Sequence, residues 1–246
     1  MKAIVVANWK MNPGSWREAK ALFERTRKAA NHAKRASVIV APPALYLHAL
    51  SRGRGKIALA MQDAYFEKDG AHTGEISMVQ AKDAHSSYVI IGHAERRKMG
   101  ETDEMIGKKV ASALAQRLTP ILCIGEKERK GGEYYNVVRE QLRAALAEVG
   151  LRANRVLIVY EPLWTIGKDT TMSPRKMHEM SIFIRKTIVD LYGDVGRKVK
   201  ILYGGSVTKK DAGAMLKEGD VKGFLVGRAS LDAYEFTALL EAIQSA

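Results

Sequence analysis

Eight short apolar runs recur through this chain, and none of them alternates polar with apolar side chains: Ala3 to Ala7, Ser37 to Ala41, Lys56 to Ala60, Tyr88 to Ile91, Pro120 to Ile124, Val156 to Tyr160, Val199 to Tyr203 and Gly223 to Val226. A strand packed on one face shows a two-residue alternation. A continuous run reads instead as a strand buried on both faces, as in a parallel sheet covered by helices. Helical periodicity should then lie between the runs. Tyr135, Val138, Leu142, Ala145 and Val149 form one apolar stripe, and Met177, Met180, Ile184, Ile188 and Leu191 form another. Ser173 and Pro174 supply a cap and a first turn for the second helix, and Gly193 is placed to end it. Eight strands alternating with about eight helices suit an α/β fold, a single-domain (β/α)8 barrel, with an open doubly wound sheet as the competitor. The Gly-rich stretches Arg52 to Gly55 and Gly131-Gly132 are too short to act as linkers, so residues 1–246 read as one domain.

Composition narrows the class further. With 46% hydrophobic residues, 27% charged residues and 6 prolines, the chain can bury a core and has no disordered bias. The formal net charge of +13 favours anionic ligands without choosing among a phosphorylated metabolite, nucleic acid and a membrane surface. Cys123 is the one cysteine, which excludes an intramolecular disulfide and suits a reducing compartment. No Cys/His cluster has zinc spacing, no run reaches the length of a membrane span, and Asn8, Trp9 and Lys10 interrupt the first apolar run before it makes a signal core. The expectation is a cytoplasmic protein with neither a membrane segment nor a metal site.

In such barrels the working groups stand at the carboxyl ends of the strands. Asn8, Trp9 and Lys10 follow the first run, where a lysine either meets an oxyanion or is a solvated rim residue. His93 follows the fourth, in Gly92-His93-Ala94-Glu95. At a helix amino terminus the dipole favours a neutral ring able to donate a hydrogen bond, although a structural histidine fits the same place. Glu161 ends the sixth run, and Pro162 biases it toward extended geometry, where a carboxylate suits a general base. The segment from Leu163 to Thr171 contains Trp164, Ile166 and Gly167, a composition suited either to a water-excluding lid or to a plain connection. Gly204-Gly205-Ser206 and Gly227-Arg228-Ala229-Ser230 follow the seventh and eighth runs, and paired glycine turns there suit a phosphate. The long stretch from Gln62 to Ser77 is a candidate for partner contact.

The segments Asn8-Trp9-Lys10-Met11-Asn12, Gly74-Glu75-Ile76-Ser77, Gly92-His93-Ala94-Glu95-Arg96-Arg97, Cys123-Ile124-Gly125-Glu126, Tyr160-Glu161-Pro162-Leu163-Trp164-Thr165-Ile166-Gly167 and Tyr203-Gly204-Gly205-Ser206-Val207 resemble, in order, the motifs of the triosephosphate isomerase family. The resemblance spans nearly the whole chain. It implies a TIM barrel that interconverts dihydroxyacetone phosphate and D-glyceraldehyde 3-phosphate through an enediol(ate), in glycolysis and gluconeogenesis, with no metal or organic cofactor. It implies Glu161 as the base and neutral His93 as the group that polarises the carbonyl and shuttles a proton between the oxygens. Lys10 and Asn8 would stabilise and position the developing charge, and Glu95 would orient Lys10. Amides of Gly167, Ser206, Gly227 and Arg228 would hold the phosphate, under a lid that keeps the enediol phosphate from eliminating its phosphate group. The loop from Gln62 to Ser77 would insert into a second subunit, with Thr73 near that subunit's Asn8 and Glu95 region, giving a homodimer or a tetramer of dimers.

Three departures from the family pattern stand out. Ala94 replaces a usual serine, Arg228 a usual glycine, and Lys168-Asp169-Thr170 the usual end of the lid. The alternatives are another phosphosugar-binding barrel enzyme, such as an aldolase using Lys10 for a Schiff base, a catalytically altered homologue, or a basic nucleic-acid binder. The basic stretches Arg25 to Arg35, Arg52 to Lys56 and Lys127 to Lys130 lack interleaved aromatics and read as solvated faces, so no specific nucleic-acid binding is expected.

Overall fold

Each of the eight apolar runs becomes a strand in the computed structural model, which describes residues 2–129, 131–165 and 171–246. The strands are β1 (Ala3–Asn8), β2 (Ala36–Ala41), β3 (Ala58–Met61), β4 (Tyr88–Ile91), β5 (Thr119–Ile124), β6 (Leu157–Tyr160), β7 (Lys200–Tyr203) and β8 (Gly223–Val226). They pair in parallel in chain order, and β8 returns to β1 with Ile4 opposite Gly223 and Ala7 opposite Val226. That closure excludes the open doubly wound sheet. Between and after the strands lie α1 (Trp16–His32), α2 (Ala44–Ser51), α3 (Met78–Asp83), α4 (Ala94–Lys98), α5 (Asp103–Ala115), α6 (Tyr134–Leu146), α7 (Pro174–Tyr192), α8 (Ala212–Glu218) and α9 (Ala233–Ser245).

The absence of alternation in the runs has a direct cause. Val6, Ile39, Ala41, Ala60, Ile90, Ile121, Cys123, Leu157, Val159, Leu202 and Leu225 form one buried cluster drawn from the strands alone. Their chain neighbours Val5, Ala7, Val40, Leu59, Ile91, Leu122, Ile158, Tyr160, Ile201, Tyr203, Phe224 and Val226 belong to a second cluster, shared with the helices. Successive residues of a strand point to opposite faces, and here both faces are apolar: the barrel interior and the helical jacket.

Helix starts follow the side chains that can cap them. Ser15, Ser77, Thr102, Ser173 and Asp232 each accept a backbone N–H of the first turn, and Ser77 with Gln80 completes a reciprocal pair. Pro174 opens α7 and Gly193, at φ 68°, ends it as expected. Two boundaries differ from the sequence pattern. The third strand begins at Ala58 because Ile57 donates to the Arg54 carbonyl in a turn. Val149 is buried but lies beyond α6, in a turn closed onto the Leu146 carbonyl before Gly150 at φ 57°. Among the described residues no helix is long and apolar enough to cross a membrane.

One ionic cluster braces the β3–β5 side. Lys109 of α5 is fully buried, with its ammonium 2.8 and 2.9 Å from the two Asp63 oxygens and in contact with Glu101. Arg96 of α4 reaches the same Asp63 at 2.9 Å. Burial pushes the Asp63 carboxyl up by more than Lys109 pulls it down. The cluster ties the root of the 62–77 segment to α4 and α5. Lys109→Met leaves buried Glu101 without its cation and Asp63 with Arg96 alone, so it is expected to destabilise the fold by about 3 kcal/mol. Thermal denaturation should show a melting point lower by roughly 10 °C. An unchanged melting point would mean that the cluster contributes nothing.

Candidate active site

The two-residue period of the strands fixes what enters the barrel mouth. Asn8, Gln62, Gly92, Gly125, Glu161, Gly204 and Gly227 each stand two residues beyond an interior side chain. The polar groups therefore arrive where the apolar interior ends.

On the β1 side Lys10 adopts φ 53°, an uncommon conformation for a residue with a Cβ. Its N–H donates to Asn8 Oδ1 at 3.0 Å, and its carbonyl accepts from Gln62 Nε2 at 2.8 Å. Those bonds hold the strained backbone and send the side chain across the mouth. Its ammonium reaches Glu95 Oε1 at 2.7 Å, and its chain passes Gly227 so closely that a Cβ there would lie 3.1 Å from Lys10 Cε. Burial works to raise the Glu95 carboxyl, but the hydrogen bond and charge of Lys10 outweigh it and hold the group below the usual carboxylate range. Ser230 Oγ bonds the Gly227 carbonyl at 2.6 Å and the Asn8 carbonyl at 3.4 Å, fastening the β8 turn to the β1 end.

His93 is the N-cap of α4 and is nearly buried. Its Nδ1 accepts the Glu95 backbone N–H at 3.2 Å, which leaves the proton of a neutral ring on Nε2. That nitrogen lies 3.4 Å from Glu161 Oε1. The turn before it is pinned by Arg97, whose Nε donates to the Gly92 carbonyl at 2.8 Å and whose guanidinium also pairs with Asp103.

Glu161 is 2% exposed. Its Oε2 accepts the Ala94 N–H at 3.3 Å, while Oε1 has no hydrogen-bond partner among the described residues. Its backbone N–H donates to the Ile124 carbonyl at 2.7 Å, and a Cβ on Gly125 would lie 1.9 Å from the Glu161 carbonyl oxygen. Gly125 thus permits the approach of β5 to Glu161, and buried Gln141 of α6 holds it with two side-chain bonds. Burial, and then the Glu161 charge, push the Cys123 thiol well above its usual range, so it stays protonated beside the carboxylate.

These groups open into one cavity of about 530 Å³, lined also by Ser206, Gly227 and Arg228. Of the residues expected from the sequence, Asn8, Lys10, His93, Glu161, Ser206, Gly227 and Arg228 line it together, and Glu95 stands behind Lys10. Gly167 lies outside the described residues, as do Lys168, Asp169 and Thr170.

Sequence reasoning missed the support behind Glu161. Glu126 accepts from Tyr160 Oη at 2.7 and 2.8 Å and from Trp164 Nε1 at 3.0 Å, and Arg129 bonds both Glu126 and Tyr160. This cluster flanks Glu161 on both sides in sequence and fixes the strand end that presents it. Tyr203 Oη likewise accepts the Met172 N–H at 3.2 Å. The Gly125-Glu126 pair in its motif was the only signal, and its partners Tyr160 and Trp164 lie more than thirty residues away.

Carboxylate, imidazole donor, ammonium and glycine turns in one cleft suit proton transfer beside a carbonyl on a phosphorylated substrate. Comparison with known proteins agrees. The family model described as triosephosphate isomerase matches residues 3–243. The chain is 39% identical over 246 residues to the triosephosphate isomerase of Endomicrobium trichonymphae, covering 98% of each. It is 42% identical over 247 residues to that of a Roseiflexus species, covering 96% of each. For the enzyme of Aquifex aeolicus the identity is 37%, over 98% of this chain and 99% of the relative. With fold, cleft and these likenesses in accord over almost its full length, the chain belongs to the triosephosphate isomerase family.

Proposed function

We infer that the chain is an aldose–ketose isomerase, a triosephosphate isomerase of glycolysis and gluconeogenesis that interconverts dihydroxyacetone phosphate and D-glyceraldehyde 3-phosphate without a cofactor. The observation that carries the residue roles is the buried Glu161 carboxylate, one oxygen free among the described residues, facing His93 Nε2 at 3.4 Å in the cavity.

In this reading Glu161 removes a proton from the carbon beside the carbonyl. The electron pair moves into a carbon–carbon double bond and onto the oxygen, where the Nε2–H of His93 donates. Charge on the enediolate is met by the Lys10 ammonium, which Glu95 keeps aimed, and Asn8 positions the oxygens. His93 passes its Nε2 proton to that oxygen and takes up the hydroxyl proton of the neighbouring oxygen, and protonated Glu161 then returns its proton to the neighbouring carbon as the new carbonyl forms, completing the isomerisation with no net gain or loss of protons or electrons. The phosphate is held by backbone amides of Gly167, Ser206, Gly227 and Arg228, a role supported by the cavity lining of the last three.

A homodimer is proposed through the 62–77 segment. The root of that segment is held by a bridge between Tyr65 and Ser77 and by the bond from Ser112 Oγ to the Phe66 carbonyl, while residues 67–71 and 73–75 are exposed. At the same end of the barrel, past the ends of β1 and β2 and at the end of α4, stand Met11, Leu45 and Met99, which are 93%, 83% and 77% exposed. Large apolar side chains gathered on adjacent strand ends suit burial against a second copy. Two such dimers joined as a tetramer would use the same contact. A cytoplasmic location is supported by the glycolytic substrate and by the single cysteine kept as a thiol.

Two measurements test these assignments. Purified protein should convert glyceraldehyde 3-phosphate in an assay coupled to a dehydrogenase, and Glu161→Gln should lower turnover at least 10³-fold, on the order of the loss of a general base, while the fold is kept. Near-wild-type turnover by the variant would mean that another group is the base. In sedimentation equilibrium the wild type should show at least twice the 27.2 kDa of one chain, and Thr73→Arg should dissociate it. A monomeric wild type would remove the partner role of the loop.

A further inference from the structure

Arg228 opens the turn after β8, between Gly227 and Ser230. The Ser230 N–H donates to the Gly227 carbonyl at 2.9 Å and the Leu231 N–H donates to the Arg228 carbonyl at 3.1 Å, while buried Ser230 Oγ pins the turn from below. The backbone at Arg228 is thus fixed on both sides. Its side chain is treated differently. Arg228 is exposed, and its guanidinium has no ion pair or hydrogen bond among the described residues.

The other arginines around the mouth are already engaged. Arg96 pairs with Asp63, Arg97 with Asp103 and Arg129 with Glu126. Arg228 alone among these four keeps its five donors uncommitted, and it does so on the wall of the 530 Å³ cavity that Lys10, Ser206 and Gly227 also line. Nearby carboxylates do not neutralise it in this structure. Asp232 lines the same cavity, but its Oδ1 is taken by the N–H groups of Tyr234 and Glu235 at the start of α9. Glu235 is exposed on the same wall and, with the Oδ2 of Asp232, is a competing anion for Arg228 there.

An anion held only by backbone amides meets neutral dipoles. A guanidinium adds formal charge and a planar fork that matches two phosphate oxygens at once. We propose that the Arg228 side chain is a direct ligand of the substrate's phosphate dianion, supplementing the amides of the β7 and β8 turns. This rests on the triose phosphate reading of the cavity and deepens it, because phosphate affinity here then depends on a side-chain cation as well as on backbone geometry. The glycine usual at this position in the family has no side chain to offer such a bond.

The test uses the intact enzyme, with inorganic phosphate as the probe. Calorimetric titration and inhibition assays are run on wild type, Arg228→Gln and Arg228→Lys, with circular dichroism to verify that each folds. Arg228→Gln should raise the phosphate dissociation constant and the KM for glyceraldehyde 3-phosphate about tenfold, the effect of losing one charge-assisted bond, with a smaller fall in kcat. Arg228→Lys, which keeps the charge and loses the fork, should fall between them. The salt dependence of phosphate binding should be shallower in Arg228→Gln than in wild type. A phosphate constant within twofold of wild type in Arg228→Gln would overturn the proposal and leave Arg228 only its backbone role. Tighter phosphate binding by Arg228→Gln would also overturn it, since the side chain would then obstruct the site or prefer Glu235. Absence of isomerase turnover in wild type would count against the triose phosphate reading instead, and the phosphate titration would still decide the role of Arg228.

Discussion

Closure of β8 onto β1 is the constraint on which the rest of the molecule depends. A closed parallel sheet has no free edge, so every strand must be apolar on both faces along its buried length. Where the strands emerge, the same two-residue period continues, but solvent and ligand replace the apolar interior. Val6, Val159, Leu202 and Leu225 are each followed two positions later by Asn8, Glu161, Gly204 and Gly227. Core packing and site geometry are therefore two stretches of one periodic object. A slip of one residue in β6 would turn Glu161 outward and Tyr160 inward.

Charge is handled differently inside this frame and at its mouth. Behind the cleft, Lys109, Asp63, Glu101 and Arg96 neutralise one another, and Glu126 is held by Tyr160, Trp164 and Arg129. Those groups carry no free charge toward the substrate, and they fix the elements that do. Among the described residues the polar atoms at the mouth are left incomplete: Glu161 Oε1 is buried without a partner, and the Arg228 guanidinium is unengaged. A buried polar atom without a partner is costly, so Glu161 Oε1 fits a cleft completed by its ligand. The mouth also divides in two. The β1–β4 side carries exposed Met11, Leu45 and Met99 and the exposed part of the 62–77 segment, and the β6–β8 side carries Glu161 and the glycine turns.

Much of this was legible beforehand because it depends on short-range rules. Eight unbroken apolar runs required a covered parallel sheet, Ser173-Pro174 and Gly193 marked the ends of a helix, and residues following the runs had to lie at one end of a barrel. Val149 broke its own stripe because Gly150 turns the chain, and no spacing pattern reports a backbone sign change. The roles of Glu126, Gln141 and Lys109 were invisible for another reason. Each acts through partners on different elements, and a lone Gln or Lys in a helical pattern, or a Glu just after a strand, looks like any solvated residue.

The sequence by itself determined the strand and helix alternation, the end of the barrel where polar groups gather, and through its motifs the kinship with an isomerase family. Periodicity, capping and turn chemistry act over a few residues, so they are written in the order of the chain. Tertiary structure alone decided that the sheet closes, that Lys10 in a left-handed conformation spans from β1 past Gly227 to meet Glu95 of α4, and that His93 offers Nε2 toward Glu161. Those facts are distances between groups tens of residues apart. They are fixed by packing and by shared hydrogen bonds, which exist only once the barrel has closed.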